Sequence, residues 1–324
     1  MTPVRLRTVG LVVLPVAALA LVAPSASAST PEANGIRMTG TQAVLMAGTG
    51  SGVATAVPAE AETFAAAGAT FRVTYHNFSP QAKASFQRAV NVWAKTITSS
   101  VPITVDATYR PLEPGVLGSA GPGDVHRNFS GAPKRNVIYV DALANKLAGR
   151  QLSASPDIVA NFSSSFDNWY FGTGNAPVGD YDFQSVVTHE LGHGLGFLGL
   201  GRLTDANTGS IRSAGSITSF DANVENGAGR KLTTFADPST ALKNQITGRS
   251  LYFDSPAVHN ANSAGRARLY APAEYEPGSS YSHLNESTYR QGTANSLMTP
   301  FLKDGETIHN PGPITKAILV TQGW

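Results

Sequence analysis

The residues best equipped for chemistry are two histidines and a glutamate in the stretch VVTHELGHGLGF, residues 186–197. His189, Glu190 and His193 form the pattern H-E-x-x-H, and side chains four residues apart lie on one face of an α-helix. Both imidazoles can therefore reach one metal ion, and neutral imidazole is a natural ligand of Zn²⁺. Glu190 would lie beside the open position of that ion and polarise a water molecule there. The spacing predicts a catalytic zinc site.

The flanking sequence favours the helix that this site requires. Asp182 can cap its N-terminus, and Gly194 and Gly196 can end it, one of them in a left-handed conformation. The apolar stripe of this helix consists of Phe183, Val186, Val187 and Leu191. The competing interpretation is a pair of helix-flank histidines that bond only carboxylates or backbone groups.

A catalytic zinc ion usually has three protein ligands, so a third must come from elsewhere in the chain. The extended pattern H-E-x-x-H-x-x-G-x-x-H would place it ten residues after His189, where the chain has Gly199. The five other histidines are His76, His126, His259, His283 and His309.

His283 is the favoured third ligand because Met298 follows it in the sequence LMTP. Metzincin proteases carry a methionine in a tight turn beneath the zinc, after the third histidine. His259 is the alternative histidine, since no such methionine follows it at short range. A glutamate ligand is also open, and the downstream candidates are Glu225, Glu274 and Glu286.

The motifs HELGHGLGF, SHL and LMTP together resemble the leishmanolysin-type metzincins, in which an insertion displaces the third histidine far along the chain. Here His283 follows His193 by 90 residues (283 − 193 = 90). The residues that carry the resemblance are His189, Glu190, His193, Gly196, His283 and Met298. The resemblance runs from about residue 70 to the end. It implies an α+β fold in which a twisted mixed sheet and an active-site helix lie above a largely irregular C-terminal subdomain.

The elements predicted around the motif fit this class of fold. Alternating apolar residues predict strands at 71–75 and 103–107, and Ser79-Pro80 begins a helix between them. The buried stripe of that helix is Phe86, Ala89, Val90, Trp93 and Ile97. Further strands are predicted at 137–140, 157–164, 251–253 and 268–270, a helical turn at 143–148, and a closing helix at 313–319.

The chain divides into four predicted segments. Residues 1–28 resemble a secretory signal peptide, with Arg5 and Arg7 before an apolar run at 9–22 and a small-residue cleavage site after Ala28. Residues 29–68 are rich in Ala, Gly, Thr, Ser and Pro, which predicts a poorly ordered linker or pro-segment. Residues 69–200 and 201–324 are the expected subdomains of a metalloprotease domain, secreted and free of any membrane anchor after signal cleavage.

Composition limits the ligands and the partners. The chain has no cysteine, so a metal must be bound by His, Asp or Glu. Its net charge is +2 without a dense Lys/Arg run, which argues against nucleic acid as a partner. Acidic residues in the loop 167–182 could hold calcium, but their spacing does not match an EF-hand, and solvated turn residues are the favoured interpretation.

These features predict a zinc endopeptidase that hydrolyses protein or peptide substrates with Glu190 as the base. The strand at 157–164 would form the upper rim of the cleft, where an extended substrate adds as another strand. Tyr281 could stabilise the oxyanion, although packing is its favoured role. The alternatives are a zinc amidohydrolase of cell-wall peptides and a secreted zinc-stabilised binding protein, and the positioned Glu190 argues against the second of these.

Overall fold

A six-stranded mixed sheet organises the computed structural model of the protein, which describes residues 35–36, 42–53, 68–263 and 265–324. The predicted signal peptide at 1–28 lies outside the described residues, as does much of the predicted linker at 29–68. The described part of the chain contains six α-helices, so the fold is of the mixed α+β class. None of these helices combines the length and the apolar character that a membrane crossing requires.

The described part of the chain contains 17 strands and six α-helices. The strands are β1 (Gly35–Ile36), β2 (Ala43–Ser51), β3 (Phe71–His76), β4 (Ile103–Arg110), β5 (Val116–Pro122), β6 (Val125–His126), β7 (Val137–Val140), β8 (Ile158–Ser163), β9 (Trp169–Tyr170), β10 (Tyr181–Asp182), β11 (Arg202–Leu203), β12 (Gly209–Ser210), β13 (Ile217–Thr218), β14 (Val224–Asn226), β15 (Leu251–Phe253), β16 (Ala267–Leu269) and β17 (Phe301–Asp304). The helices are α1 (Pro80–Thr96), α2 (Asp141–Ala148), α3 (Phe183–Gly194), α4 (Thr240–Ile246), α5 (Pro256–Ala261) and α6 (Gly312–Gln322).

The strand order of the main sheet is β17-β2-β5-β8-β4-β3. Strands β3, β4 and β8 are parallel, β5 runs antiparallel to β8, and β2 runs antiparallel to β5. Strand β17 closes the order by pairing parallel with β2. The region after residue 201 also contributes β13, which pairs with β7. The predicted N-terminal and C-terminal subdomains therefore share their sheets.

Helix α1 confirms the helix predicted after Ser79. The Ser79 side chain accepts the Ala82 backbone N–H at 3.1 Å, and Pro80 occupies the first turn, where its missing N–H costs nothing. The predicted apolar stripe is buried. One of its members, Trp93, donates from Nε1 to the Thr188 carbonyl at 2.9 Å, which joins α1 directly to α3.

The poor order predicted for the linker or pro-segment over 29–68 is wrong at residues 43–51, which form β2 inside the main sheet. The segment AVLMAGTGS has few β-branched or aromatic residues, so its own strand propensity is weak. Its pairing partners β5 and β17 come from much later in the chain. Tertiary hydrogen bonding therefore determines this strand, and local composition gave no signal of it.

The strand predicted at 157–164 is present as β8, but its predicted role at the rim of the cleft is wrong. Strand β8 pairs with β4 along one edge and with β5 along the other. Both rows of its backbone hydrogen-bonding groups are therefore engaged, and an extended substrate cannot add to it. Of the two neighbours of β8, strand β5 is the one that contacts Glu190.

Glu306, two residues after β17, gives the stability of the fold a pH dependence. Burial, helped by the nearby Glu286 carboxylate, raises the pKa of Glu306 from 4.5 to about 7, although the Lys303 N–H donates to its Oε2 at 3.2 Å. Between these two values the folded state binds a proton more tightly than the unfolded state. The stabilisation that comes from protonated Glu306 is therefore fully present below pH 4.5, and it is lost as the pH rises through 7.

We expect Glu306→Gln to become more stable than the wild type as the pH rises, by about 3 kcal/mol at pH 8, since one pKa unit corresponds to about 1.4 kcal/mol. At pH 4 the two proteins should differ little. Urea unfolding at a series of pH values measures the difference, and Glu113→Gln, at an exposed position, is the matched control. A difference that does not change with pH would show that Glu306 is not the titrating group.

Candidate metal centre

Helix α3, which carries the H-E-x-x-H pattern, is fixed at its N-terminus by a buried aspartate. The Asp182 carboxylate accepts the Ser185 backbone N–H at 2.7 Å and the Ser185 hydroxyl at 2.6 Å, which confirms the predicted cap. The same carboxylate oxygen lies 2.9 Å from Nε2 of His309. Every residue of α3 is buried, and the helix packs against α1, β5 and β8. The surrounding elements therefore fix the position of the motif on every side of the helix.

The two glycines at the C-terminal end of α3 have different roles. Gly194 remains helical, and a Cβ there would lie 2.4 Å from Ile158 Cγ2, so the absence of a side chain lets β8 approach the helix. Gly196 has φ 116°, a conformation that L residues with a side chain rarely adopt. The prediction that one of these glycines turns the chain with positive φ is confirmed at Gly196.

Three histidine side chains converge on one point. The Nε2 atoms of His189 and His193 are 2.9 Å apart, and the Nε2 atom of His283 lies 3.1 Å from the first and 3.2 Å from the second. The structure thus places His283 with the motif from 90 residues away along the chain. Among the described residues, this is the group of three that could hold a metal ion.

Backbone carbonyls fix the tautomer of each ring. The Nδ1 atoms of His189, His193 and His283 donate to the carbonyls of Leu297 (2.6 Å), Phe197 (2.7 Å) and Ser279 (2.7 Å) respectively. A carbonyl only accepts, so each Nδ1 carries the ring proton, and in the neutral ring Nε2 carries a lone pair. Hydrogen bonds of this kind orient metal-ligating histidines.

Three Nε2 lone pairs this close together repel one another, and a cation between them would remove the repulsion. Burial lowers the pKa of His189 to about 4, and burial together with the neighbouring imidazoles lowers the pKa of His193 and of His283 well below 6.5. Protonation therefore does not relieve the repulsion between the three nitrogens. Nitrogen ligands about 2.05 Å from a tetrahedral ion lie about 3.3 Å from one another, close to the separations found here. The donor set fits a metal ion.

Glu190 lies on the same helix as His189 and His193, and its carboxylate is weakly hydrogen-bonded. It is fully buried, and neither of its oxygens accepts a hydrogen bond of normal geometry. Burial raises its pKa well above 4.5, and the backbone N–H groups of Leu45 and Ala120 offset part of the rise. A Cβ built on Gly118 of β5 would lie 3.1 Å from Glu190 Oε1, so β5 passes directly over this carboxylate.

Met298 packs against α3 at Gly192, one residue before His193. A Cβ built on Gly192 would lie 3.0 Å from Met298 Sδ, and the methionine is fully buried. The Thr299 N–H bonds the Ser296 carbonyl at 3.1 Å, so Met298 occupies a tight turn. The preceding residue of this turn supplies the carbonyl that orients His189.

The alternative third ligands lie outside the group of three histidines. His259 bonds Asp254 at 2.5 Å, and its side chain is 43% exposed. Glu225 forms ion pairs with Lys231 and Arg266. Glu274 is exposed, and Glu286 is half-buried and does not join the histidine group. The loop 167–182, considered for calcium, contributes no cluster of three ligating side chains among the described residues.

Tyr281 explains why position 199 has no side chain. A Cβ on Gly199 would lie 2.3 Å from Tyr281 Cε1 and 2.7 Å from Asp221 Oδ1. The fully buried Tyr281 ring therefore occupies the space that a residue at 199 would need, and also packs on Gly201. This contact gives Tyr281 a packing role, and position 199 has no room for a ligating side chain.

We expect Gly199→Ala to lower the free energy of unfolding by about 1–3 kcal/mol, because the added methyl group overpacks the site against Tyr281. Thermal and urea unfolding measure the loss. Gly174→Ala is the matched control, since its Cβ would meet only the Tyr170 hydroxyl, at 3.4 Å. Equal stability of the two variants would contradict the packing described for Tyr281.

One further residue of the site carries a recognisable pattern in the sequence. Gly118 lies inside strand β5, and a glycine in a strand often marks the close approach of another group, here the Glu190 side chain. The carbonyls of Leu297, Phe197 and Ser279 carry no sequence signal, because any residue type can supply them. Comparisons of the chain with family models, with curated proteins and with solved structures gave no match.

Proposed function

We propose that this chain is a zinc-dependent endopeptidase of the leishmanolysin-like metzincin type, exported through its N-terminal segment. One observation carries the proposal: three buried imidazoles present Nε2 lone pairs to a single point, beside a glutamate whose carboxylate accepts no hydrogen bond of normal geometry. The tight turn that holds Met298 and the antiparallel strand β5 beside the site add support for the metzincin type of fold.

Zinc is the metal that this donor set favours. Three neutral imidazoles from His189, His193 and His283, with no thiolate available in a chain without cysteine, are a ligand set of catalytic zinc. When bound, zinc supplies Lewis acidity that polarises a carbonyl group and lowers the pKa of a water molecule. A structural zinc site would be closed by a fourth protein ligand, and the described residues offer three.

Glu190 is the proton carrier in this proposal. Its carboxylate accepts a proton from the attacking water and passes it to the leaving amine of the cleaved peptide. A general base must bind the water proton and then release it to the leaving amine, and a carboxylate beside the metal position can serve both steps. Since its oxygens accept no hydrogen bond of normal geometry, no strong hydrogen bond has to break first.

A comparison of substrates tests the proposal. Zinc-loaded chain should cleave an unfolded protein at internal peptide bonds, and a zinc-directed hydroxamate should inhibit the cleavage. Because the site is buried, the assay uses the wild-type chain and also Leu45→Asp, the variant described below. Release of peptides from peptidoglycan without protein cleavage would assign the site to a cell-wall amidohydrolase. Zinc binding without either activity would assign it to a zinc-stabilised binding protein.

A further inference from the structure

The candidate site is closed to any peptide. His189, Glu190, His193 and His283 all have 0% exposure. A hydrolase with this arrangement cannot receive a substrate until some part of the chain moves. Strand β2 packs on α3 next to the site.

One edge of β2 pairs antiparallel with β5, directly over Glu190. Leu45 is the register partner of Gly118, the glycine of β5 that lies against the Glu190 carboxylate. The Leu45 backbone N–H also lies near that carboxylate. The Leu45 side chain is only 2% exposed and belongs to the main core.

The other edge of β2 is bonded to the segment that supplies the third histidine and the methionine turn. The Val44 N–H donates to the Gly278 carbonyl at 3.1 Å, and the Met46 N–H donates to the Pro300 carbonyl at 3.0 Å. Gly278 precedes the carbonyl that orients His283, and Pro300 follows the turn of Met298. Strand β2 thus fills a slot between β5 and the C-terminal segment of the site.

The side chains of β2 hold it in this slot weakly. Within residues 43–50, the buried side chains are Ala43 and Leu45, and Thr49 and Gly50 are exposed. The strand is therefore retained mainly by backbone hydrogen bonds and by one leucine. Any extended peptide offers the same backbone groups, so a substrate strand can replace β2 without new chemistry.

We propose that residues 43–51 are an autoinhibitory strand that occupies the position of the substrate, an extended peptide with an aliphatic side chain where Leu45 lies. The proposal rests on the proposed hydrolase function. Strand β5 is then the edge to which substrate adds, in place of β8. Because β2 belongs to the same chain, its high effective concentration keeps free peptides out of the slot until it is displaced.

The test is to expel β2 with a buried charge. Leu45→Asp places an unpaired carboxylate beside Glu190, which is costly unless the strand leaves the slot. The matched control is Val53→Asp, which adds the same charge at a position that is 59% exposed. Three quantities are measured on the full chain: bound zinc, the rate of binding of a fluorescent hydroxamate, and cleavage of an unfolded protein.

We expect all three proteins to bind one zinc ion, and Leu45→Asp to bind the hydroxamate at least about 100-fold faster than the wild type and Val53→Asp. Equal hydroxamate binding in all three would overturn the autoinhibitory role. Fast hydroxamate binding by Leu45→Asp without cleavage of any protein would uphold the masking by β2 and reject the endopeptidase. Absence of zinc from all three would overturn both proposals.

A second pair of variants serves if Leu45→Asp does not fold. Val44→Pro with Met46→Pro removes the two N–H donors to Gly278 and Pro300, while Val44→Ala with Met46→Ala keeps them. The proline pair should bind hydroxamate faster than the alanine pair. Equal rates in two folded proteins would contradict the tethering of β2 by these bonds.

The side-chain preference is tested with a free peptide. The peptide QAVLMAGTGSGV, which is residues 42–53, should inhibit cleavage by the released enzyme. The same peptide with aspartate in place of the leucine should inhibit at least about tenfold less, because it would bury a charge in an apolar position. Equal inhibition by the two peptides would reject the aliphatic preference.

Discussion

Glu190→Gln is expected to retain one zinc ion per chain and to lose at least about 100-fold in the rate of protein cleavage, the scale of a general base. Glutamine has the shape of glutamate but cannot accept a proton at neutral pH. Because neither Glu190 oxygen accepts a hydrogen bond of normal geometry, the substitution breaks no bond of the fold. It also replaces a buried group whose raised pKa marks the cost of its charge, so stability should not fall.

The measurement compares cleavage by Glu190→Gln with cleavage by the wild type, and repeats the comparison in the Leu45→Asp background. Glu274→Gln is the control, since it makes the same change at an exposed glutamate. Undiminished cleavage by Glu190→Gln, with its zinc in place, would remove Glu190 from the role of base.

His283→Ala is expected to lower zinc affinity by more than about 100-fold, because loss of a ligand exceeds the 10–100-fold effect of losing an outer hydrogen bond. It leaves two imidazoles, and their Nε2 atoms are already 2.9 Å apart. Titration against a competing chelator of known affinity measures the change. Cleavage should fall with zinc occupancy.

The control for His283→Ala is His259→Ala, the alternative third ligand. His259 bonds Asp254 at the surface, so its loss should leave zinc affinity unchanged. A loss of zinc from His259→Ala but not from His283→Ala would mean that the chain rearranges around the ion. That result would contradict the site described here.

The local part of the site could be predicted from the sequence because its causes are local. The cap at Asp182, the spacing of His189 and His193, and the turn at Gly196 depend on residues within α3 or beside it. His283 could be predicted from the sequence for a different reason. Its distance from Met298 is short along the chain, so a motif linked two residues that the fold also brings together.

The predictions that proved wrong concern features that depend on contacts between distant segments of the chain. Strand β2 has a composition typical of a linker, and it becomes a strand only because β5 and β17 bond both of its edges. The role of β8 was misassigned for the same reason, since nothing in its sequence reveals that both edges are paired. The contact between Gly199 and Tyr281 joins residues far apart in sequence, and only the fold makes it visible.

Anomalous diffraction at the zinc edge from crystals of the zinc-loaded chain tests the central claim most directly. We expect a single zinc ion bonded to Nε2 of His189, His193 and His283 and to no fourth protein side chain, with Glu190 beside it. A zinc ion closed by four protein ligands would identify a structural site, and a zinc ion located elsewhere in the molecule would reject the metal centre. Either of these results would contradict the assignment of the chain as a zinc endopeptidase.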